Sequence, residues 1–223
     1  MRQVIHTGLR WLAVLLILWG SVLMIRLSLP YAAFYRYTDF LMTKQLVYAN
    51  HYWRFSFYVH VLLSSFVLIT GLLQFSRWLL LHRPRWHRLC GKIYVVIVLF
   101  FSGPAGLVMG FYANAGFWAR LSFVILAGLW LFFTAMAWLK IVKGRWQAHA
   151  TYMLYSYALT LSALSLRFYA LMIGMLHLPI HPRPAYIAIS WLSWTLNLLI
   201  ACLLVRTKFL QRYAPVERTA VNK

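Results

Sequence analysis

The chain has 223 residues, 63% of them hydrophobic and 11% charged, with 22 Lys and Arg against two acids and a formal charge of +20. So apolar a composition excludes an ordinary soluble domain and indicates a polytopic helical membrane protein. With Asp39 and Glu217 the only side-chain acids, chemistry built on paired carboxylates is excluded, glycoside hydrolysis and aspartic proteolysis included.

The basic residues lie between apolar segments, where they suit helix ends and anionic lipid and not nucleic acid. The first predicted span covers residues 9–27, with Arg2 before it and Arg10 at its start. No small-residue cleavage pattern follows, so it reads as an uncleaved span and not a signal peptide. Residues 29–55 form a connecting segment dense in aromatics, among them Tyr31, Phe34, Tyr35, Phe40, Tyr48 and Trp53, as suits a membrane interface. Asp39 and His51 also lie here.

The second predicted span is 56–75, with His60, Ser64, Gly71 and Gln74 on one helical face. The run H-R-P-R-W-H-R at 82–88 forms a basic turn around Pro84. His87 stands just before the third span, 89–112, and Tyr94 lies two turns along on its face; Gly103, Gly106 and Gly110 around Pro104 predict close packing and a kink. The fourth span, 118–139, is almost wholly apolar apart from Thr134 and is expected outside the polar interior, as is the first.

The fifth span, 150–176, opens on His149 and contains Arg167. At about 100° per residue, Ser156, Thr160 and Arg167 fall within about 20° of His149, and His149 and Arg167 are about 27 Å apart along the axis. Lipid cannot satisfy such a stripe, so it must face other helices or a water-filled cavity. His177 and His181 follow in a proline-rich loop, then a sixth span, 185–205, with Ser190, Trp194 and Asn197 on one face. A tail with Arg206, Lys208, Arg212, Arg218 and Lys223 ends the chain.

The predicted architecture is therefore an all-α bundle of six spans, a single transmembrane domain over 1–223 with a polar interior. Basic residues crowd the side that holds both termini, which places both in the cytoplasm of a bacterial inner membrane by the positive-inside rule. Cys90 and Cys202 then lie near the cytoplasmic face and are expected as free, packed thiols.

Ionisable residues at membrane depth are the functional candidates. His87 and His149 share a depth at the cytoplasmic side, and two imidazoles on facing helices can take both axial positions of a b-type haem. Arg85, Arg88 and Arg145 are near that end for the propionates. His60 and Arg167 share a depth on the other side, where an outer haem or quinone is conceivable; Tyr94 is a further cofactor-binding candidate. The alternative metal reading, one zinc site, conflicts with histidines split between faces. No C-x-x-C-H motif for covalent haem is present. Two functions follow: a haem-b redox protein acting with quinone, or a transporter, lipid- or anion-binding protein or accessory subunit of a larger membrane assembly, using the His60/Arg167 pocket. Arg167 has no acid on any span, so its expected partners are carbonyls, Asp39, water or an anionic ligand.

Over about residues 55–205 the chain resembles a family of predicted bacterial membrane proteins of unknown function. The likeness rests on His60 with Gly71 and Gln74-Phe75, on His87-Arg88-x-x-Gly91-Lys92-Ile93-Tyr94, on Ser102-Gly103 and Gly106, on His149-x-x-x-Met153, on Ser156-Tyr157-Ala158-Leu159-Thr160, on Leu166-Arg167-x-Tyr169 and on Trp194-x-x-Asn197. It departs from the family's pattern at Ala150, Tyr155 and Cys202. A looser, fold-level likeness joins it to b-type cytochrome membrane bundles.

Overall fold

A computed structural model describes residues 2–177 and 179–207. The tail residues Lys208, Arg212, Arg218 and Lys223, and Glu217, lie outside the described residues. The fold is all-helical, with no strand among the described residues, and six helices are long and apolar enough to cross a membrane: Trp11–Ala33, His51–Gln74, Pro84–Phe111, Phe117–Val142, Trp146–Met175 and Pro182–Arg206. Each lies where the apolar periodicity predicts it. The second, third and fifth begin several residues earlier than hydropathy alone suggests, because polar residues there are absorbed into first turns.

Local chemistry sets those starts. The Asn50 side chain accepts from the backbone N–H groups of Tyr52 and Trp53 at 3.0 and 3.2 Å, capping the second span. Pro84 and Pro182 occupy opening positions of the third and sixth, where a missing N–H costs nothing. Gly144, at φ +70°, makes the tight turn that joins the fourth span to the fifth.

Two spans are interrupted. The third widens into a π-helical turn at Ile97–Ser102 before α-helix resumes at Gly103–Phe111. Pro104 explains it: the ring has no N–H to donate and would strike the carbonyl one turn back, so the helix opens. The fifth breaks at Leu161, between Trp146–Thr160 and Ser162–Met175. Leu161 keeps right-handed helical backbone, and Ser165 N–H still donates to its carbonyl at 3.1 Å, so Trp146–Met175 remains one span that carries His149, Ser156, Thr160 and Arg167.

The main core joins five spans through Val67, Tyr94, Val98, Trp130, Met153, Tyr157 and Trp194. A second cluster of Tyr31, Leu41, Trp53, Phe57 and Tyr58 sits under the 29–48 segment, which folds over the far face, opposite the termini. The first span is peripheral, as expected: Trp11 and Trp19 are each 64% exposed, an apolar surface suited to lipid.

The fourth span corrects the expectation that it lies outside. Ser122, Trp130 and Thr134 are all buried in it and bonded to neighbouring spans. Its apolar composition conceals this role, because three groups suffice to tie it into the interior.

Candidate functional site

Three polar zones run through the bundle. The central one is a closed knot. The Tyr94 hydroxyl lies 2.7 Å from Ser156 Oγ and 2.8 Å from Thr160 Oγ1. Trp130 Nε1–H donates to Thr160 Oγ1 at 3.0 Å, Thr134 donates to the Trp130 carbonyl at 2.7 Å, and Thr134 Oγ1 is 2.6 Å from Ser156 Oγ. Thr160 also approaches the Ser156 carbonyl at 3.1 Å. These groups own five polar hydrogens, and one consistent assignment gives every hydrogen an acceptor. Thr134 gives its proton to Trp130, so Ser156 donates to Thr134 and Tyr94 donates to Ser156. Every member is satisfied, and a satisfied buried network fixes one register of packing. Tyr94, a candidate for binding a cofactor, thus has its hydroxyl engaged by protein. Trp130 and Thr134 are the members sequence reasoning missed as interior contacts.

Tyr157 supports the knot from one residue along, donating to the Leu68 carbonyl at 3.0 Å. Gly71 makes room for both tyrosines: a Cβ there would fall 2.4 Å from the Tyr157 ring and 2.9 Å from the Tyr94 ring.

The second zone lies toward the terminal face. His87 and His149 each stand three residues inside their span, so they share a depth. His149 Nδ1–H donates to the Ala137 carbonyl at 2.9 Å, which leaves the Nε2 lone pair free. His87 Nδ1 is buried and has no hydrogen-bond partner. The backbone of His87 is held in turn by Gln74, whose Nε2–H donates to its carbonyl at 3.2 Å, with Gly91 pressed against the Gln74 amide. His87 and His149 therefore share a depth on two different spans, with Arg88 next to His87 in the chain.

The third zone lies toward the far face. His60 is nine residues into the second span, about 14 Å along the axis. Its Nδ1–H donates to the Ser102 carbonyl at 2.8 Å, at the end of the π-helical turn. Its ring meets Trp130 edge-on with centroids 6.4 Å apart, and a Cβ at Gly106 would come within 3.0 Å of it. Ser64 Oγ and Ser102 Oγ are buried without partners.

Arg167 lies eight residues from the end of the fifth span, about 12 Å along the axis and so at a depth like that of His60. Its hydrogen bond among the described residues runs to the Ala163 carbonyl at 3.1 Å. The guanidinium is within electrostatic reach of Tyr31, His60 and Tyr186, from the ends or interiors of three other spans. Asp39 forms no ion pair with it. On insertion scales an arginine at mid-span costs about 2.5–3.5 kcal/mol, and one carbonyl is a partial offset.

The loop histidines His51, His177 and His181 are engaged locally. His51 Nδ1 accepts from Arg54 at 2.7 Å, His177 donates to the Met175 carbonyl at 3.0 Å and His181 accepts from the Arg183 N–H at 3.4 Å. Among the described residues, no three of His, Cys, Asp and Glu gather as a metal site would require. Cys90 and Cys202 are free and partly buried.

Residues 57–205 match the family model described as "Predicted membrane protein (DUF2306)", so the chain belongs to that family of predicted membrane proteins. No curated protein and no solved structure matches the chain.

Proposed function

We propose that this DUF2306 protein is a haem-b-binding membrane redox protein with His87 and His149 as the axial ligands. The observation that carries the reading is the pair itself: two imidazoles at one depth, on two spans, with nitrogens not engaged by protein. The bond from His149 to the Ala137 carbonyl fixes ring and tautomer, as the second sphere of a ligating histidine does. The buried, unpartnered Nδ1 of His87 leaves that ring with unused capacity in a place where polar groups are normally satisfied.

Haem b would supply one-electron transfer at a potential tuned by its axial ligands and burial. The chain's own contribution is placement. Gln74 holds the backbone at His87, and the Gly144 turn brings the fifth span back beside the fourth so that His149 reaches Ala137. Arg85, Arg88 and Arg145 lie at the same end and suit propionates. The surplus of basic residues on the terminal face supports a cytoplasmic position for that face in a bacterial inner membrane. A membrane quinone or a second membrane subunit is the electron partner.

The test is the visible spectrum of detergent-purified protein from haem-replete cells, oxidised and dithionite-reduced. The expected result is a Soret band with sharp reduced α-bands, lost in His87→Ala and in His149→Ala. Colourless protein, or a spectrum indifferent to both substitutions, overturns the proposal.

A further inference from the structure

We infer that the far-face loop 112–116 carries an oxyanion site, built by Arg120 and Arg183 with Lys44 behind them, that takes a phosphate group from an anionic phospholipid or from solution. The site lies at the opposite face from His87 and His149 and does not depend on what those residues hold.

Convergence is the first argument. Three cations from separate parts of the chain bond one short loop between the third and fourth spans. Lys44 Nζ donates to the Tyr112 carbonyl and, at 2.6 Å, to the Asn114 side-chain oxygen. Arg120 Nε donates to the Ala113 carbonyl at 3.3 Å, and Arg183 Nε donates to the Ala115 carbonyl at 3.4 Å. A Cβ on Gly116 would fall 3.2 Å from Arg183 Nη2, so that guanidinium lies against the loop. Residues 112 and 115 are three apart, a separation of about 11 Å at most even for extended chain. The cationic groups bonded to them therefore share one patch.

Unbalanced charge is the second. Each of these bonds ends on a carbonyl or amide oxygen, and none on a carboxylate. Neutral donors suffice for such a junction, as the Asn114 amide shows by donating to Thr43 Oγ1 at 3.4 Å across it. Three cations on one loop instead repel one another, and an anion between them turns that repulsion into attraction. The chain concentrates its basic residues on the terminal face, so topology does not account for this group on the far face.

Spare donors at an accessible position are the third. Arg120 and Arg183 are exposed, whereas Lys44 is 5% exposed and packed behind the loop. Each guanidinium bonds the loop through Nε, which leaves the N–H groups of both Nη atoms. Such an edge meets two phosphate oxygens at once. The loop keeps its shape for this, although Ala115, at φ +67°, holds a left-handed conformation that a residue with a Cβ rarely adopts; the bonds from Lys44 and Arg183 on either side of it restrain the backbone. Phe117 and Trp118, next in the chain, are 67% and 60% exposed, as suits aromatics at headgroup level. A phospholipid phosphate is the anion within reach at that depth.

The experiment measures thermal stability of the full chain in two arms, since a ligand that binds the folded state raises its stability. In dodecyl maltoside, inorganic phosphate is titrated at ionic strength held constant with chloride. In nanodiscs, phosphatidylcholine alone is compared with phosphatidylcholine containing increasing phosphatidylglycerol. Stabilisation by free phosphate identifies a soluble oxyanion; stabilisation by phosphatidylglycerol without a phosphate response identifies a lipid headgroup. In either case Arg120→Gln and Arg183→Gln are each expected to weaken the apparent affinity about fivefold, and together about twentyfold or more. Arg36→Gln is the control: this arginine also lies on the far face, but it bonds Gln45 and not the loop, and its loss should leave the affinity unchanged. If Arg183→Gln does not fold, Arg120→Gln against Arg36→Gln carries the test. No response in either arm, or a loss of affinity no greater in Arg120→Gln than in Arg36→Gln, overturns the proposal.

Discussion

Gly71→Ala adds one methyl group at the most crowded point of the interior. The added Cβ would sit 2.4 Å from Cδ2 and Cε2 of Tyr157 and 2.9 Å from Cε2 of Tyr94. Neither ring can swing away freely. Tyr157 is 4% exposed and tied to the Leu68 carbonyl; Tyr94 is 0% exposed and tied to Ser156 and Thr160. Overpacking of this kind costs about 1–3 kcal/mol. If either phenol gives up its bonds to escape the clash, each bond lost adds about 0.5–1.5 kcal/mol. A total of about 2–4 kcal/mol follows, set against the small gain a helix takes from replacing glycine by alanine, about 1 kcal/mol at most. Gly128 and Gly174 serve as controls, since a Cβ at either meets nothing within 4 Å. Thermal or denaturant unfolding in one detergent should show Gly71→Ala clearly destabilised, with Gly128→Ala and Gly174→Ala at or slightly above wild type. Equal stability of all three variants would refute the packing described around the two tyrosines.

Tyr94→Phe keeps the ring and removes the hydroxyl that bridges Ser156 and Thr160; a loss of about 1 kcal/mol is expected by the same assay, within the range for polar contacts between spans. Lys44 is 5% exposed, its Nζ bonds the Asn114 side chain at 2.6 Å and the Tyr112 carbonyl, and burial, with the charge of Arg120, lowers its pKa from 10.5 to about 8. The unfolded chain therefore holds more protons between about pH 8 and 10.5, so this lysine makes stability rise with pH across that window. The melting temperature should climb from pH 8 to 10 by an increment that Lys44→Met removes; an unchanged slope in Lys44→Met contradicts the placement. For topology, a cysteine placed at Gly144 in a background lacking Cys90 and Cys202 should react with a membrane-impermeant maleimide from the cytoplasmic side, and labelling from the opposite side would reverse the orientation.

Much of the architecture is legible in sequence because lipid imposes it. Hydropathy alone locates the six spans, and the face of His60, Ser64, Gly71 and Gln74 points inward as its spacing requires. The common depth of His87 and His149 is legible too, since basic loops mark the span ends. Three features escape. The π-helical turn before Pro104 has no periodic signature; proline predicts a disturbance but not that the Ser102 carbonyl will receive His60. The interruption at Leu161 has neither glycine nor proline to announce it and falls among Thr160, Ser162 and Ser165. The fourth span hides its role because an indole N–H and one threonine hydroxyl count as apolar or incidental in a hydropathy window, yet they bind Thr160 and Ser156. Arg167 is conspicuous in the sequence, whereas its bond back to the Ala163 carbonyl of its own helix is not.

A haem count with electron paramagnetic resonance on the oxidised, detergent-purified protein decides the proposed role of His87 and His149. The prediction is one haem b per chain by pyridine haemochrome and a low-spin bis-imidazole signal that disappears in His149→Ala. Absence of stoichiometric haem, or a low-spin signal that survives in His149→Ala and in His87→Ala, would contradict it.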